Sequence, residues 1–283
     1  MTKSKTYTSI DYRKFRLFGS ISELIKNISE FSTLIKWLTR VGLTQQYKRS
    51  FLGGAWLFIS PFFSILLWVL LNSAGILNPG ETKVPYVAYV FLSNAIWVLF
   101  ISFYKSISET YTGRGGELLH NNFPHVIIII EKIIITTINF AIPMVLSIFV
   151  LISFGVSLNW TVFLFPLTLI PLMLLGIALG LIFSVLKIVA LDFTTVFDNS
   201  LEILKYITPV VFAVNVNNTT LQTIMKYNPL TYLISFPRSV LLNQGFPHIE
   251  LYLICSLFSF IFLLFAFRFF TVSSPIVFEK ITY

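Results

Sequence analysis

Charged residues are scarce in this chain: Asp, Glu, Lys and Arg make up 11% of its 283 residues, against roughly 25% in soluble domains. That deficit excludes a soluble fold of this length. A single cysteine, Cys255, lies in an apolar run, so no internal disulfide can form and the thiol reads as a small buried hydrophobe. His120 and His125 form the only close histidine pair; Pro124 lies between them and they do not share a helix face, which speaks against a metal site. No Gly-x-x-x-x-Gly-Lys-Ser/Thr loop is present, so the chain does not hydrolyse ATP alone. Nor is there a Ser/His/Asp grouping, and no catalytic residue is assigned. Nothing before Ser50 resembles the apolar core of a signal peptide, so the N-terminus is expected to stay on the protein.

What the chain has in quantity is apolar side chains, 56% of the total with 30 Phe, and a mean hydropathy of +0.83. The net charge of +8 is concentrated at one end, because residues 1–50 hold ten Lys/Arg against three acids. A basic leader with no basic face continuing beyond it argues for membrane topology and headgroup attraction rather than nucleic acid. The stretch Gln46–Pro61 fixes the rest. Lys48 and Arg49 end the leader, and the next charge is Glu81, leaving 31 uncharged positions from Ser50 to Gly80. About 20 apolar residues cross the roughly 30 Å hydrocarbon core, so the chain is expected to enter the membrane here from the cytoplasm.

Before that junction, Ile21, Leu24, Ile25, Ile28, Phe31, Leu34, Ile35 and Leu38 recur at three- and four-residue steps, and Ser20 with Glu23 makes a capping box. The pattern predicts an amphipathic helix over Ser20–Leu38 lying in the cytoplasmic interface. The expected architecture is an all-α integral membrane protein. It has a cytoplasmic leader (1–50), six spans over 51–270 and a cytoplasmic tail (271–283).

The spans fall at about Phe51–Ile76, Val84–Tyr104, Val126–Phe154, Trp160–Leu186, Thr195–Val214 and Ile249–Phe270. Between the second and third, residues 105–125 form a cytoplasmic loop with a short helix near Gly116–Asn122. Gly176, Gly180 and Ser184 place small side chains on one face of the fourth span, a close-packing contact. Asp198, Glu202 and Lys205 share a face of the fifth, and intramembrane charges are functional candidates. Residues 215–247 hold two short apolar pieces, about Leu221–Tyr227 and Leu230–Leu242, divided by Asn228-Pro229. Neither is long enough to cross, which predicts a re-entrant or interfacial helical pair on the outer side. With this topology, inside segments carry 17 Lys/Arg and outside segments three, as the positive-inside bias demands.

Several of these pieces, in order, carry a resemblance. Gln46-Tyr47-Lys48-Arg49-Ser50-Phe51-Leu52-Gly53 with Trp56 and Pro61 resembles the entry motif of the membrane subunits of polysaccharide ABC exporters, the Wzm-like and teichoic-acid permeases. Tyr86-x-x-Tyr89 and Trp97 resemble that family's second span, Asn121 to Phe123-Pro124 the end of its coupling helix, and Asn228-Pro229-Leu230-Thr231 to Arg238 its gate region. The entry motif departs from the family in reading Gly42-Leu-Thr-Gln-Gln before it, Asn121-Asn122 replace a basic residue before Phe-Pro, and Leu191-Asp192 replace the arginine–aspartate pair after the fourth span.

The resemblance implies a homodimeric conduit driven by two separate nucleotide-binding subunits, with ATP and Mg²⁺ on those partners and no cofactor on this chain. Glu117, Leu118, His120 and Asn122 would couple to the ATPase, and Asn228, Pro229 and Arg238 would belong to an outer gate. The substrate would be a lipid-linked glycan, undecaprenyl-diphosphate-linked O-antigen in a bacterial inner membrane. Trp56, Phe62, Tyr206 and Phe212 are candidates to line its path, because aromatic faces stack on apolar ring faces. Lys48 and Arg49 are placed to meet a lipid diphosphate. Rival readings are a teichoic-acid or capsule exporter, a small-lipid or drug exporter of the same superfamily, a membrane scaffold, and a membrane enzyme on lipid-linked sugars. The last would need a clustered acid/base set that the chain lacks.

Overall fold

The computed structural model describes residues 30–48, 51, 53–112, 126–214 and 218–282, which among themselves contain helices and turns but no strand. Five helices are long and apolar enough to cross a membrane. They are α2 (Trp56–Ser73, led in by a 3-10 turn at Gly53–Ala55), α3 (Tyr86–Ser108), α4 (Val126–Ser153), α5 (Phe165–Val189, after a 3-10 turn at Trp160–Phe163) and α9 (Ile249–Thr282). Shorter helices are α1 (Ser32–Lys48), α6 (Leu191–Leu204), α7 (Thr219–Tyr227) and α8 (Pro229–Leu241).

Helix α3 is the most enclosed of the five and takes the middle of the bundle: Ala88, Val90, Ile96, Phe103, Tyr104 and Ile107 are each fully shielded. Helix α5 packs against it through Gly176 and Gly180. A Cβ on Gly176 would sit 2.8 Å from the Phe100 carbonyl oxygen, and one on Gly180 would sit 2.7 Å from Ile107 Cβ. Only hydrogen fits in either place. The small-residue spacing predicted on the fourth span therefore buries α5 against α3, with Ser184 fully shielded and its hydroxyl donating to the Leu181 carbonyl at 2.7 Å. Helix α9 lies along the other side of α5, joined to it by the Tyr252 hydroxyl, which donates to the Thr168 carbonyl at 3.0 Å. Helix α2 is peripheral: Ile65 is its single buried residue, and Phe58, Phe62, Phe63, Leu66, Leu67 and Leu70 are exposed.

Three elements differ in extent from what the sequence leads one to expect. The amphipathic helix predicted to end at Leu38 runs on to Lys48; residues 20–29 of the prediction lie outside the described residues. Ile35, Leu38, Thr39 and Gly42 are buried, at steps of three and four, while Lys36, Trp37 and Arg40 are exposed. The pattern continues past Leu38 because a threonine and a glycine serve as the buried positions there, which an apolar count overlooks. This face covers the start of α4 at Ile127.

The predicted fifth span, Thr195–Val214, is not one helix. Helix α6 stops at Leu204 and residues 205–212 form turns. Nevertheless this segment runs antiparallel beside α3, from Asp198 at Tyr104 to Val211 at Tyr86. Those two tyrosines are about 27 Å apart along α3 at 1.5 Å per residue. Finally, α9 continues from the predicted sixth span to Thr282 without a break, so residues 271–282 extend the helix. The loop helix predicted near Gly116–Asn122 lies outside the described residues.

Candidate functional site

Irregular backbone surrounded by protein needs partners for its polar groups. The turns after α6 find them in side chains that come from far along the chain. The Tyr89 hydroxyl donates to the carbonyls of Pro209 and Phe212, at 3.2 and 3.0 Å, and the Tyr86 hydroxyl to that of Val211 at 3.2 Å. Arg238, 6% exposed, donates from Nη1 to the Pro209 carbonyl at 2.6 Å and to Ser93 Oγ at 2.9 Å. Its guanidinium lies 4.3 Å from the centre of the Tyr89 ring, a cation–π distance. Asn228 works in two directions. Its Oδ1 accepts from the Leu230 amide at 3.0 Å, capping α8 ahead of Pro229, and its Nδ2 donates to the Ile207 carbonyl at 3.3 Å and to Thr208 Oγ1 at 3.0 Å. The Ala213 amide donates to the Pro79 carbonyl at 2.7 Å, tying the segment to the turn after α2.

Helices α7 and α8 match the two pieces predicted for 215–247, divided where Asn228-Pro229 placed the break. Arg238, predicted at an outer gate, is buried in this clamp. The predicted intramembrane charges meet α3. Asp198 accepts from the Tyr104 hydroxyl and pairs with Lys187 Nζ at 3.4 Å. Glu202 pairs with Lys105 at 3.4 Å, both largely exposed. Lys205 is half-buried at the start of the turns.

A second polar region lies on another side of α3. A groove of about 500 Å³ opens between α2, α3 and α4. Trp56, Ser60 and Ser64 line it from α2, Asn94 and Ser102 from α3, and Thr136 and Asn139 from α4. Asn94 Nδ2 donates to Ser64 Oγ at 2.8 Å, and Ser64 donates onward to the Pro61 carbonyl at 2.7 Å. At its far end Gln46 of α1 closes over α4, its Oε1 accepting from Asn139 Nδ2 at 3.0 Å. There the groove meets a second hollow, of about 540 Å³, lined by Glu109, Glu131 and Lys132.

The four aromatic path candidates do not come together. Trp56 lines the groove. Phe62 lies on Phe91, with ring centres 5.1 Å apart, and Tyr206 meets Trp68 edge-on at 5.4 Å. Phe212 is held through its backbone by Tyr89. Lys48 ends α1 but its side chain, Arg49, and Glu117, Leu118, His120 and Asn122 lie outside the described residues. Asn94, Ser64 and Tyr104 were missed. A lone carboxamide within a span was the available signal for Asn94.

No protein-family model matches the chain. The O-antigen export system permease protein RfbA of Myxococcus xanthus is 20% identical over 229 residues, covering 80% of this chain and 87% of that protein. RfbA of Klebsiella pneumoniae is 22% identical over 220 residues, covering 77% and 83%. Similarity along most of both relatives supports the resemblance carried by the ordered motifs, which is to the Wzm-like permease family.

Proposed function

We propose that this chain is the channel-forming membrane subunit of an ABC exporter that moves a lipid-linked polysaccharide across a bacterial inner membrane. Its glycan is undecaprenyl-diphosphate-linked O-antigen. The observation that carries this reading is the match to two O-antigen export permeases over more than three quarters of the chain. The fold supports it. In this reading the segment 191–214, running beside α3, is the fifth of six crossings, so both termini lie in the cytoplasm and α7–α8 form a re-entrant pair on the outer side. The exposed apolar faces of α2 and α6, with Phe62, Phe63, Val196 and Ile203 open, suit lipid and a second copy of the chain. With no phosphate loop in the sequence, ATP and Mg²⁺ act on two partner ATPase subunits. Lys48 and Arg49 remain candidates for the lipid diphosphate, and the loop around Glu117–Asn122 for the ATPase contact.

Deleting the gene in its host and measuring surface polysaccharide tests the reading. Loss of surface glycan, intracellular accumulation of the lipid-linked precursor, and co-purification of the tagged chain with an ATPase are expected. Unchanged surface glycan with altered sensitivity to drugs or small lipids would instead favour the small-molecule exporter.

A further inference from the structure

The groove between α2, α3 and α4 is made of stripes at helical spacing. On α2 the lining falls at Trp56, Ser60 and Ser64, and on α3 it runs from Phe91 to Ser106. That is about 22 Å at 1.5 Å per residue. The shape is long and open along one side, so it suits an extended occupant.

Helical backbone satisfies itself in a membrane, and a surface that meets only hydrocarbon has no use for hydroxyls and carboxamides. Yet Ser60, Ser64, Asn94, Ser102, Thr136 and Asn139 line this groove, and no charged side chain joins them before Lys105 at one end. Asn94 is 3% exposed; its Nδ2 is held by Ser64, while its Oδ1 has no hydrogen-bond partner among the described residues. An unpartnered buried acceptor is unfavourable and calls for a donor. Beside these groups stand aromatic faces: Trp56 is 45% exposed at the groove wall, with Phe91 and Phe140 nearby.

Three kinds of occupant can be weighed against that lining. An acyl chain would leave the Asn94 Oδ1 acceptor unmet. A free anion would find no cation along the middle of the groove. A sugar ring has hydroxyls that both donate and accept, together with apolar faces that stack on aromatic rings.

We propose that this groove, formed within one copy of the chain, holds uncharged sugar units of the transported glycan. Asn94 and Ser64 form its hydrogen-bonding floor and Trp56 its stacking wall. The proposal rests on the export reading and adds to it a sugar site that needs no second copy to be complete.

The test uses the whole chain in nanodiscs of phosphatidylethanolamine and phosphatidylglycerol. The probe is dodecyl maltoside carrying a diazirine on its sugar, and the control is dodecyl phosphocholine with the diazirine on its head group. Expected is light-dependent labelling of the peptides around Trp56–Ser64 and Asn94–Ser102 by the maltoside alone. Asn94→Leu should lower that labelling about five- to tenfold, the range that loss of one good hydrogen bond gives. Equal labelling by the control, no labelling by either, or unchanged labelling of Asn94→Leu would each overturn the proposal. If Asn94→Leu fails to reach the membrane, Ser64→Ala replaces it under the same criteria. Gene deletion separates the two claims. Intact surface glycan with a labelled groove removes the export reading and leaves the sugar site; lost surface glycan with an unlabelled groove does the reverse.

Discussion

Helix α3 carries polar side chains toward two neighbours, and the two sides are finished differently. Toward residues 205–214, Tyr86, Tyr89 and Ser93 all engage protein groups, and Arg238 closes the arrangement from α8. Toward α2 and α4, Asn94 meets Ser64 with one end of its carboxamide, while Ser60 and Ser102 look into a groove. Ser93 and Asn94 are neighbours in sequence, yet they behave in opposite ways. Polarity that the protein answers itself holds irregular backbone in place; polarity left open at the same depth makes a surface for something else. The difference matters because an unmet polar group in a membrane interior carries the full cost of its desolvation.

The sharpest way to break this contrast is at the clamp. Arg238→Met removes the donor to both Pro209 and Ser93 and the cation over Tyr89. Each hydrogen bond from a charged group is worth about 1.5–3 kcal/mol, and both acceptors keep a second polar contact, so a loss of stability of about 2–4 kcal/mol is expected in thermal unfolding of the detergent-solubilised protein. A variant as stable as the parent would show that the turns after α6 do not depend on Arg238. Asn228→Ala comes next, removing the cap of α8 and the links to Ile207 and Thr208. A loss of about 1–2 kcal/mol is expected in the same assay. Asp198→Asn is milder. It weakens the pairing with Lys187, which is itself partly solvated, and should cost about 1 kcal/mol or less; added salt should shrink the difference between variant and parent.

The same contrast explains what could be read from the chain beforehand. Span positions follow from gaps between charges, as α2 does from the uncharged stretch before Glu81, and turn chemistry puts the break between α7 and α8 at Asn228-Pro229. Gly176 and Gly180 announced close packing because a small residue at every fourth position has few other uses in a span. The turns of 205–212 were not legible. After Lys205 their sequence is mostly apolar and contains a single proline, Pro209; what makes them possible is Tyr89, 120 residues earlier, and Arg238, 29 residues later. Local pattern cannot announce a partner that distant. The groove was illegible for the opposite reason. Serines are common in spans and usually donate to their own helix, as Ser147 does to Pro143, so Ser60 and Ser102 carry no mark of a shared surface until α2 and α3 are side by side. The aromatic candidates, chosen by residue type, scattered to separate contacts for the same reason.

The smallest stability effect is expected where the functional effect should be clear. Ser60 and Ser102 line the groove from facing helices. Replacing both with alanine removes two hydroxyls and introduces no volume, so unfolding should shift by no more than about 0.5 kcal/mol. If the groove serves the glycan, each hydroxyl contributes a contact of ordinary hydrogen-bond strength. Surface polysaccharide restored to a deletion strain by the double variant should then fall about fivefold or more below that restored by the parent, at equal membrane abundance. Arg238→Met should show the reverse ranking, with export falling only in step with the amount of folded protein. If the serine variant instead loses stability and keeps export, the two sides of α3 have exchanged roles, and the groove is part of the scaffold.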